Sequence, residues 1–216
     1  MAAGLFYVYT EPGSVDEAEF HDWYDHEHGP ARLTVPGFRG AVRYQALDGE
    51  KPSWLALYEL DRPEVIDSPG YQALGGRASD RDRAVGAGLA ALDRRVYEQI
   101  SQDGSPPADE APVILAVATS VPASAEQDLA AWYEQEHIPM LLKVPGWRRI
   151  RTFRLRQSLD GPAPDFLALH ELAGPEVLEE PGYRAAISTP WRDRMVALAL
   201  RRERRVFGFR NAIGSF

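Results

Sequence analysis

The chain has 216 residues and a formal net charge of −8, from 24 basic and 32 acidic residues. An acidic chain offers no long-range attraction to a phosphate backbone or an anionic membrane, so we expect no nucleic-acid or membrane partner. With 44% hydrophobic residues and no cysteine, it is expected to bury a packed core without disulfides or cysteine-ligated metals. No targeting pattern or long apolar span is recognisable, so a soluble cytoplasmic protein is predicted.

Hydrophobic periodicity predicts six elements in the first half of the chain. A strand comes first, and the helix after it takes Ser14 as its predicted N-cap. In chain order the elements are a strand at Leu5 to Thr10, a helix from Asp16 to about Leu33, strands at Phe38 to Leu47 and Trp54 to Leu60, a helical region from Pro63 to Leu92, and a strand at Val96 to Ile100.

The second half of the chain repeats the first. The segments WYDHEHGPARLTVPG (Trp23 to Gly37) and WYEQEHIPMLLKVPG (Trp132 to Gly146) are identical at nine of fifteen positions, where unrelated segments would share roughly one. The strand WLALYEL (Trp54 to Leu60) has its counterpart in FLALHEL (Phe166 to Leu172). An internal repeat of this length predicts two copies of one structural unit.

The repeat fixes the predicted domains. Residues 1–100 form the first copy, the Pro-, Gly- and Asp-rich segment 101–112 is a linker, and residues 113–216 form the second copy. The elements predicted for the second copy are strands at Val113 to Ser120, Trp147 to Leu159 and Phe166 to Leu172, with a helical region from Pro175 to Arg202.

The order βαββαβ is that of the ferredoxin-like split βαβ unit. Its sheet carries both helices on one face, so the other face must be buried by something else. A second copy on the same chain supplies that cover. We therefore predict an α+β fold in which tandem ferredoxin-like repeats form a pseudo-dimeric α/β barrel, and a monomer in solution.

The pattern WYxxEHxP followed by VPG and an aromatic residue, on a βαββαβ unit, resembles the EthD-like branch of the dimeric α/β-barrel superfamily. The resemblance covers both copies. It implies a small-molecule pocket between each sheet and its helices, with the histidine of the first helix nearby. The superfamily contains cofactor-free monooxygenases, cyclases, decarboxylases, dehydratases and haem proteins, so the resemblance alone does not decide the reaction.

The first helix of each copy carries the main catalytic candidates. A tyrosine, a carboxylate and a histidine share one helix face: Tyr24, Asp25 and His28 in the first copy, and Tyr133, Glu134 and His137 in the second. A proline follows each histidine by two residues, so the helix is expected to kink or end there. The helix dipole and the carboxylate would favour a protonated histidine, which could act as an acid or base near neutral pH. A structural alternative is that each histidine only bonds a backbone carbonyl, and that the tyrosines only pack in the core.

The third strand supplies further candidates. Alternate residues of a strand share a face, which groups Trp54 and Tyr58 in the first copy and Phe166 and His170 in the second. Tyr58 and His170 are candidate second proton donors, and the aromatic residues are candidate walls of the pocket. Arg43 and Arg151, on the second strand, are candidates for holding a substrate carboxylate or phenolate.

The sequence predicts no cofactor. His21, Asp25 and His28 have a spacing that would permit a metal ion, but the second copy has Ala130 in place of His21, and no metal is predicted. The second helical regions contain no residue suited to ligating haem except Met195. No phosphate-binding glycine motif is present, so nucleotides and flavins are not predicted either.

Our first hypothesis is a cofactor-independent lyase, a dehydratase, decarboxylase or cyclase, that acts by proton transfer on an aromatic or polyketide-like molecule of secondary metabolism. One alternative is a cofactor-free monooxygenase of the same fold. Another is a non-catalytic module that binds apolar small molecules. Which copy holds the working pocket is left open, with a slight preference for the first.

Overall fold

The structure, a computed structural model, describes residues 2–106 and 109–214. In the first half of the chain the elements are β1 (Gly4–Glu11), α1 (Glu17–Trp23), a π-helical turn (Tyr24–His28), α2 (Gly29–Leu33), β2 (Phe38–Ala46), β3 (Trp54–Leu60), a 3₁₀ turn (Pro63–Asp67), α3 (Pro69–Gly76), α4 (Asp80–Gly88) and β4 (Ala91–Gly104). In the second half they are β5 (Val113–Ser120), a 3₁₀ turn (Ala123–Ala125), α5 (Glu126–Trp132), a π-helical turn (Tyr133–His137), α6 (Ile138–Leu141), β6 (Trp147–Ser158), β7 (Phe166–Leu172), a 3₁₀ turn (Pro175–Glu179), α7 (Pro181–Ala186), α8 (Pro190–Ala197) and β8 (Arg201–Ile213).

The predicted fold class is confirmed. Each half has the order βαββαβ, and the strand order β1-β3-β2-β8-β5-β7-β6-β4 is that of a closed antiparallel barrel. The second helical regions are shorter than predicted, because the closing strands begin early and already contain Leu92 and Arg202. Among the described residues, no helix is long and apolar enough to cross a membrane.

The chain forms two compact units, each with its own core. The first unit comprises residues 1–99, 155–163 and 209–216, and the second comprises residues 100–154 and 164–208. These units differ from the predicted domains 1–100 and 113–216, because residues 155–163 and 209–216 belong to the first unit. The predicted linker begins as strand, because β4 continues to Gly104, and its residues Pro107 and Ala108 lie outside the described part of the chain.

Within each unit the first strand pairs antiparallel with the third. In the first unit β1 pairs with β3, and Phe6 lies opposite Tyr58. In the second unit β5 pairs with β7, and Leu115 lies opposite His170. These four side chains point to the helices of their own unit, where the core or cavity residues lie. The third strands therefore have the face that alternation predicted.

The VPG segments form the expected turns. Gly37 and Gly146 have φ values of 102° and 84°, a region that favours glycine. A Cβ atom on Gly37 would lie 2.5 Å from Val65 Cγ2, and one on Gly146 would lie 2.6 Å from Val177 Cγ2. The turn thus brings each first helix close to the 3₁₀ turn of its unit, which anchors the end of the helix that carries the candidate histidine.

Candidate functional site

The histidine of each first helix lies in a π-helical turn. The Gly29 N–H donates to the Tyr24 carbonyl, five residues back, and the Ile138 N–H donates to Tyr133 in the same way. Pro30 has no N–H to donate, and the wider π turn lets the helix pass it and continue to Leu33. Of the two expected outcomes at the proline, a kink or an end, the helix does not end there, and the predicted length to Leu33 was right. The predicted N-cap Ser14 is replaced by Asp16, whose carboxylate accepts from two backbone N–H groups.

His28 pairs with Asp82, which lies in the first turn of α4. The Nδ1 atom of His28 lies 3.0 Å from Asp82 Oδ1, and the Trp23 indole N–H donates to the same oxygen at 3.0 Å. Asp82 is held in turn by its backbone N–H, which donates to Ser79 Oγ at 2.9 Å. The His28 and Asp82 side chains are 18% and 29% exposed. The carbonyl-bonding alternative for His28 is therefore not what the structure shows.

The electrostatics make His28 a neutral imidazole. Burial, reinforced by the Arg32 cation, lowers the pKa of His28 to about 3, although Asp82 acts in the opposite direction. The hydrogen bond from His28 holds the pKa of Asp82 below its usual value. A carboxylate can only accept, so Nδ1 carries the proton and Nε2 is left with its lone pair. The predicted protonated histidine was wrong because burial outweighs the helix dipole.

His28 and Asp82 line a cavity of about 610 Å³ in the first unit. This volume is within the range of small-molecule sites. Arg32 also lines it, and its Nη1 donates to the His28 carbonyl at 3.1 Å. Among the described residues Arg32 has no carboxylate partner. The apolar walls are Phe6, Val8, Tyr71, Leu74, Leu89, Leu92 and Leu159. Arg77 and Arg94 also line the cavity, which thus combines a base, several cations and an apolar wall.

Asp25 does not orient His28. Its carboxylate accepts from Arg43 Nη1 at 2.5 Å, from Arg210 Nη1 at 2.7 Å and from Asn211 at 3.1 Å. Burial alone would raise the pKa of Asp25, but the two arginines outweigh it and hold that pKa below its usual value. The predicted pairing of Asp25 with His28 was wrong, because the π turn directs the two side chains to different partners.

Arg43 is not available for a substrate anion. Its side chain is 1% exposed, its guanidinium lies 4.1 Å from the Tyr24 ring centroid, and its Nη2 lies 3.1 Å from His21 Nδ1. Burial, Arg43 and Arg210 lower the pKa of His21 to about 4. Two of the three positions considered for a metal are thus occupied by arginine contacts. In the part of the chain that the structure describes, no group of three or more potential ligands could hold a metal ion.

Tyr58 and Tyr24 lie in the core rather than on the cavity. The Tyr58 hydroxyl donates to the Tyr24 hydroxyl at 2.9 Å, and both side chains are fully buried. Burial raises the pKa of Tyr24 and raises that of Tyr58 further above its usual value. Phe6 and Phe38 pack on Tyr58 with ring centroids 5.8 Å away. Neither tyrosine lines the cavity, and Trp54, packed on His21 at 4.3 Å, does not line it either.

The second unit places its histidines differently. His137 stacks on Trp132 at 4.2 Å and lines a cavity of about 130 Å³ together with His170 and Tyr133. Burial lowers the pKa of His137 to about 4, although a hydrogen bond to the Ala186 backbone acts in the opposite direction, and burial lowers the pKa of His170 well below its usual value. The bond to Ala186 agrees with the carbonyl-bonding alternative for His137. When α4 and α8 are aligned by their N-caps, Ser79 and Thr189, the position of Asp82 is taken by Arg192. A cation therefore stands where the first unit has the carboxylate.

Glu134 and Phe166 line a separate cavity of the second unit. This cavity measures about 290 Å³, is mainly apolar and shares Tyr133 with the histidine cavity. Ala130 and Thr152 stand on its wall in the repeat positions of His21 and Arg43. Glu134 thus does not orient His137.

Arg151 lies on the opposite face of its sheet from His170. It is opposite Leu169 in the β6–β7 register, and its Nε lies 3.3 Å from Glu171 Oε1. The repeat equivalent of Arg43 is Thr152, so the strand position assumed for Arg151 was wrong by one residue. A shift of one residue moves a strand side chain to the other face.

Three residues that line the histidine cavities, Asp82, Arg32 and Arg192, were not predicted from the sequence. Asp82 lies in the run RASDRDR, whose mixed charges are typical of a solvated surface. The sequence feature that could have identified Arg32 as a site residue is its position four residues after His28, one turn further along the same helix face.

Comparisons with known proteins support the fold alone. No protein-family model matches the chain, and no curated protein is significantly similar to it. Among solved structures, an anthrone oxidase-like protein is similar with a TM-score of 0.70 and 11% identity, over 98% of this chain and 92% of that one. A ferredoxin-fold protein from Listeria monocytogenes, described as related to antibiotic biosynthesis monooxygenases, is similar with a TM-score of 0.55 and 9% identity, over 98% of this chain and 96% of that one. A mutant chlorite dismutase from Candidatus Nitrospira defluvii is similar with a TM-score of 0.60 and 11% identity, over 98% of this chain and 93% of that one.

These structures place the chain in the class of ferredoxin-like, dimeric α/β-barrel folds, as the sequence predicted. Membership of the EthD-like branch stays a prediction.

Proposed function

We propose that the chain is a cofactor-independent enzyme that oxygenates an aromatic, anthrone-like ketone in the cavity of the first unit. One observation carries the proposal: the His28–Asp82 pair lines a cavity of about 610 Å³. The Nε2 atom of His28 makes no hydrogen bond to any described residue, so its lone pair is available to a bound molecule. The similarity to an anthrone oxidase-like structure supports the choice of substrate class.

The proposed chemistry begins with proton transfer. His28 Nε2 removes a proton from the acidic CH₂ group beside the aromatic rings, and the ketone becomes an enolate. The enolate carbon then reduces dioxygen and forms a C–O bond, which gives a hydroperoxide once the imidazolium returns its proton. Loss of water breaks the O–O bond and the remaining C–H bond. Overall, CH₂ and O₂ give C=O and H₂O, so the carbon is oxidised by four electrons and dioxygen is fully reduced.

The residues around His28 suit this charge transfer. His28 by itself is a weak base because burial and Arg32 oppose its protonation. An enolate formed beside the ring would stabilise the new imidazolium together with Asp82. Of the arginines that line the cavity, Arg32 contacts the His28 backbone and pairs with no described carboxylate, so it would hold the enolate oxygen. The apolar walls would accept the aromatic rings.

The position of Tyr58 removes the predicted second proton donor of the lyase reaction. A dehydratase needs a second group that donates a proton to the leaving oxygen. Tyr58, the predicted donor, is fully buried against Tyr24 and does not line the cavity. Oxygenation needs only the base and an anion-stabilising cation, which His28 and Arg32 supply.

The test is oxygen consumption with anthrone as the substrate, in air-saturated buffer with EDTA and no added flavin, haem or metal. The expected result is one molecule of dioxygen consumed per anthrone converted to anthraquinone, faster than spontaneous autoxidation. Conversion of a related hydroxylated ketone with no oxygen uptake would replace the proposal with the lyase hypothesis. Tight binding of anthrone with no turnover would replace it with the binding-module hypothesis.

A further inference from the structure

The histidine cavity of the second unit has an electrostatic character opposite to that of the first. Arg192, Arg202 and Arg204 all line it, and its lining contains no carboxylate. Arg192 donates to Asp193 Oδ1 at 3.1 Å, and Arg204 donates to the Tyr183 hydroxyl at 3.2 Å. Among the described residues, the Arg202 guanidinium has no hydrogen-bonding partner. A group of cations with so little internal compensation favours an anion.

The buried end of the same cavity holds polar atoms without partners. His170 is 1% exposed, and within the described residues neither its Nδ1 nor the Trp147 indole N–H has a hydrogen-bond partner. The two rings are in edge-to-face contact at 5.3 Å, and Tyr183 stacks on Trp147 at 5.4 Å. Buried polar atoms without partners are uncommon, so each is a candidate contact for a ligand.

The differences between the two units are consistent with two roles. The positions of Asp82 and Arg32 in the first unit are occupied by Arg192 and Leu141 in the second. The second cavity thus lacks both the carboxylate that orients a base and the cation one turn beyond the histidine. It has instead arginines contributed by β8 and α8.

We propose that this cavity of the second unit is a binding site for a small aromatic carboxylate. The carboxylate is held by Arg202 and Arg204, and the ring lies among Trp132, Trp147 and Tyr183. A guanidinium binds a carboxylate through paired hydrogen bonds and stacks on aromatic rings. The volume of about 130 Å³ is below the range for drug-sized ligands, so a single-ring acid is the expected size. The site is separate from the reaction proposed for the first unit.

The test is calorimetric titration of the full chain with benzoate, and with benzamide as a neutral molecule of the same shape. Benzoate is expected to bind and benzamide to bind at least roughly tenfold more weakly. The double variant Arg202→Gln/Arg204→Gln should raise the Kd for benzoate by roughly tenfold or more, because two charge-assisted contacts are lost. Arg184→Gln, an exposed arginine on α7 outside the cavity lining, is the matched control and should leave the Kd unchanged.

A second measurement does not depend on the arginine variants. In a ¹⁵N correlation spectrum, benzoate should shift the indole N–H signal of Trp147, assigned with Trp147→Phe. The proposal is overturned if benzoate does not bind, if benzamide binds equally well, if the double variant keeps its affinity, or if the Trp147 signal does not move. Anthrone oxygenation should be unaffected in the double variant, so failure of either proposal is recognisable separately.

Discussion

Replacing Asp25 with alanine should destabilise the protein, because it removes the anionic partner of a buried arginine. Arg43 is 1% exposed and donates to Asp25, which is itself 19% exposed. The variant leaves Arg43 with His21 and the Tyr24 ring as its nearest partners. Neither carries a negative charge, since burial and the arginines keep His21 neutral near pH 7.

The expected loss follows from the burial of the pair. Removing one partner of a buried ion pair costs ~3–5 kcal/mol. Because Asp25 is partly exposed and water can enter the vacated position, we expect the lower end, ~3 kcal/mol in the free energy of unfolding. For a chain of this size that loss lowers Tm by roughly 6–12 °C.

The repeat provides a matched control for this variant. Glu134 occupies the equivalent position in the second unit, is exposed, and has no hydrogen bond or ion pair with any described residue. Glu134→Ala should therefore change the stability by less than about 0.5 kcal/mol. Urea unfolding followed by circular dichroism measures both variants. Equal stability of the two variants would refute the assignment of Asp25 as a structural ion-pair partner.

Four further predictions concern the first cavity. Asp82→Asn should lower kcat/KM for anthrone oxygenation by roughly 10- to 100-fold, because the imidazolium loses a charged partner. The control variant Asp193→Asn on α8 should change kcat/KM less than twofold. Steady-state rates measure both variants. The pH profile of kcat/KM should show no acid limb near 6.5, since His28 has a pKa of about 3. Between about pH 3 and 6.5, the unfolded chain binds more protons at His28 than the folded chain does. The contribution of His28 to stability is therefore present above pH 6.5 and is lost as the pH falls. Urea unfolding midpoints measured at several pH values would show this loss. Arg32→Gln should raise KM and lower kcat together, and unchanged kinetics would remove Arg32 from the proposed site.

The sequence was sufficient to predict the fold because the repeat and the periodicities agree. The third strands were predicted with the bounds that the structure has, Trp54–Leu60 and Phe166–Leu172. Their alternation correctly placed Tyr58 and His170 on the helix-facing side. The closing strands were underestimated, since charged residues such as Arg202 gave the start of β8 no apolar pattern.

The partners within the site were not predictable in the same way. Helical spacing joined His28 to Asp25, but a π turn changes the angular relation between residues before and after it. The real partner, Asp82, is 54 residues away along the chain. Single-sequence periodicity contains no information about such a contact. The second copy does not repeat this pair. When α4 and α8 are aligned by their N-caps, Arg192 takes the position of Asp82.

The most direct test of the proposed reaction site is the oxygenation rate of His28→Ala compared with His137→Ala. The two histidines occupy the same repeat position, but only His28 has a carboxylate partner and lines the larger cavity. We predict that His28→Ala lowers kcat/KM for anthrone by roughly 10²- to 10⁴-fold, the usual contribution of a general base, with its fold retained. His137→Ala should keep kcat/KM within about threefold, a difference of ~0.7 kcal/mol. Equal loss in both variants, or full activity in His28→Ala, would contradict the assignment.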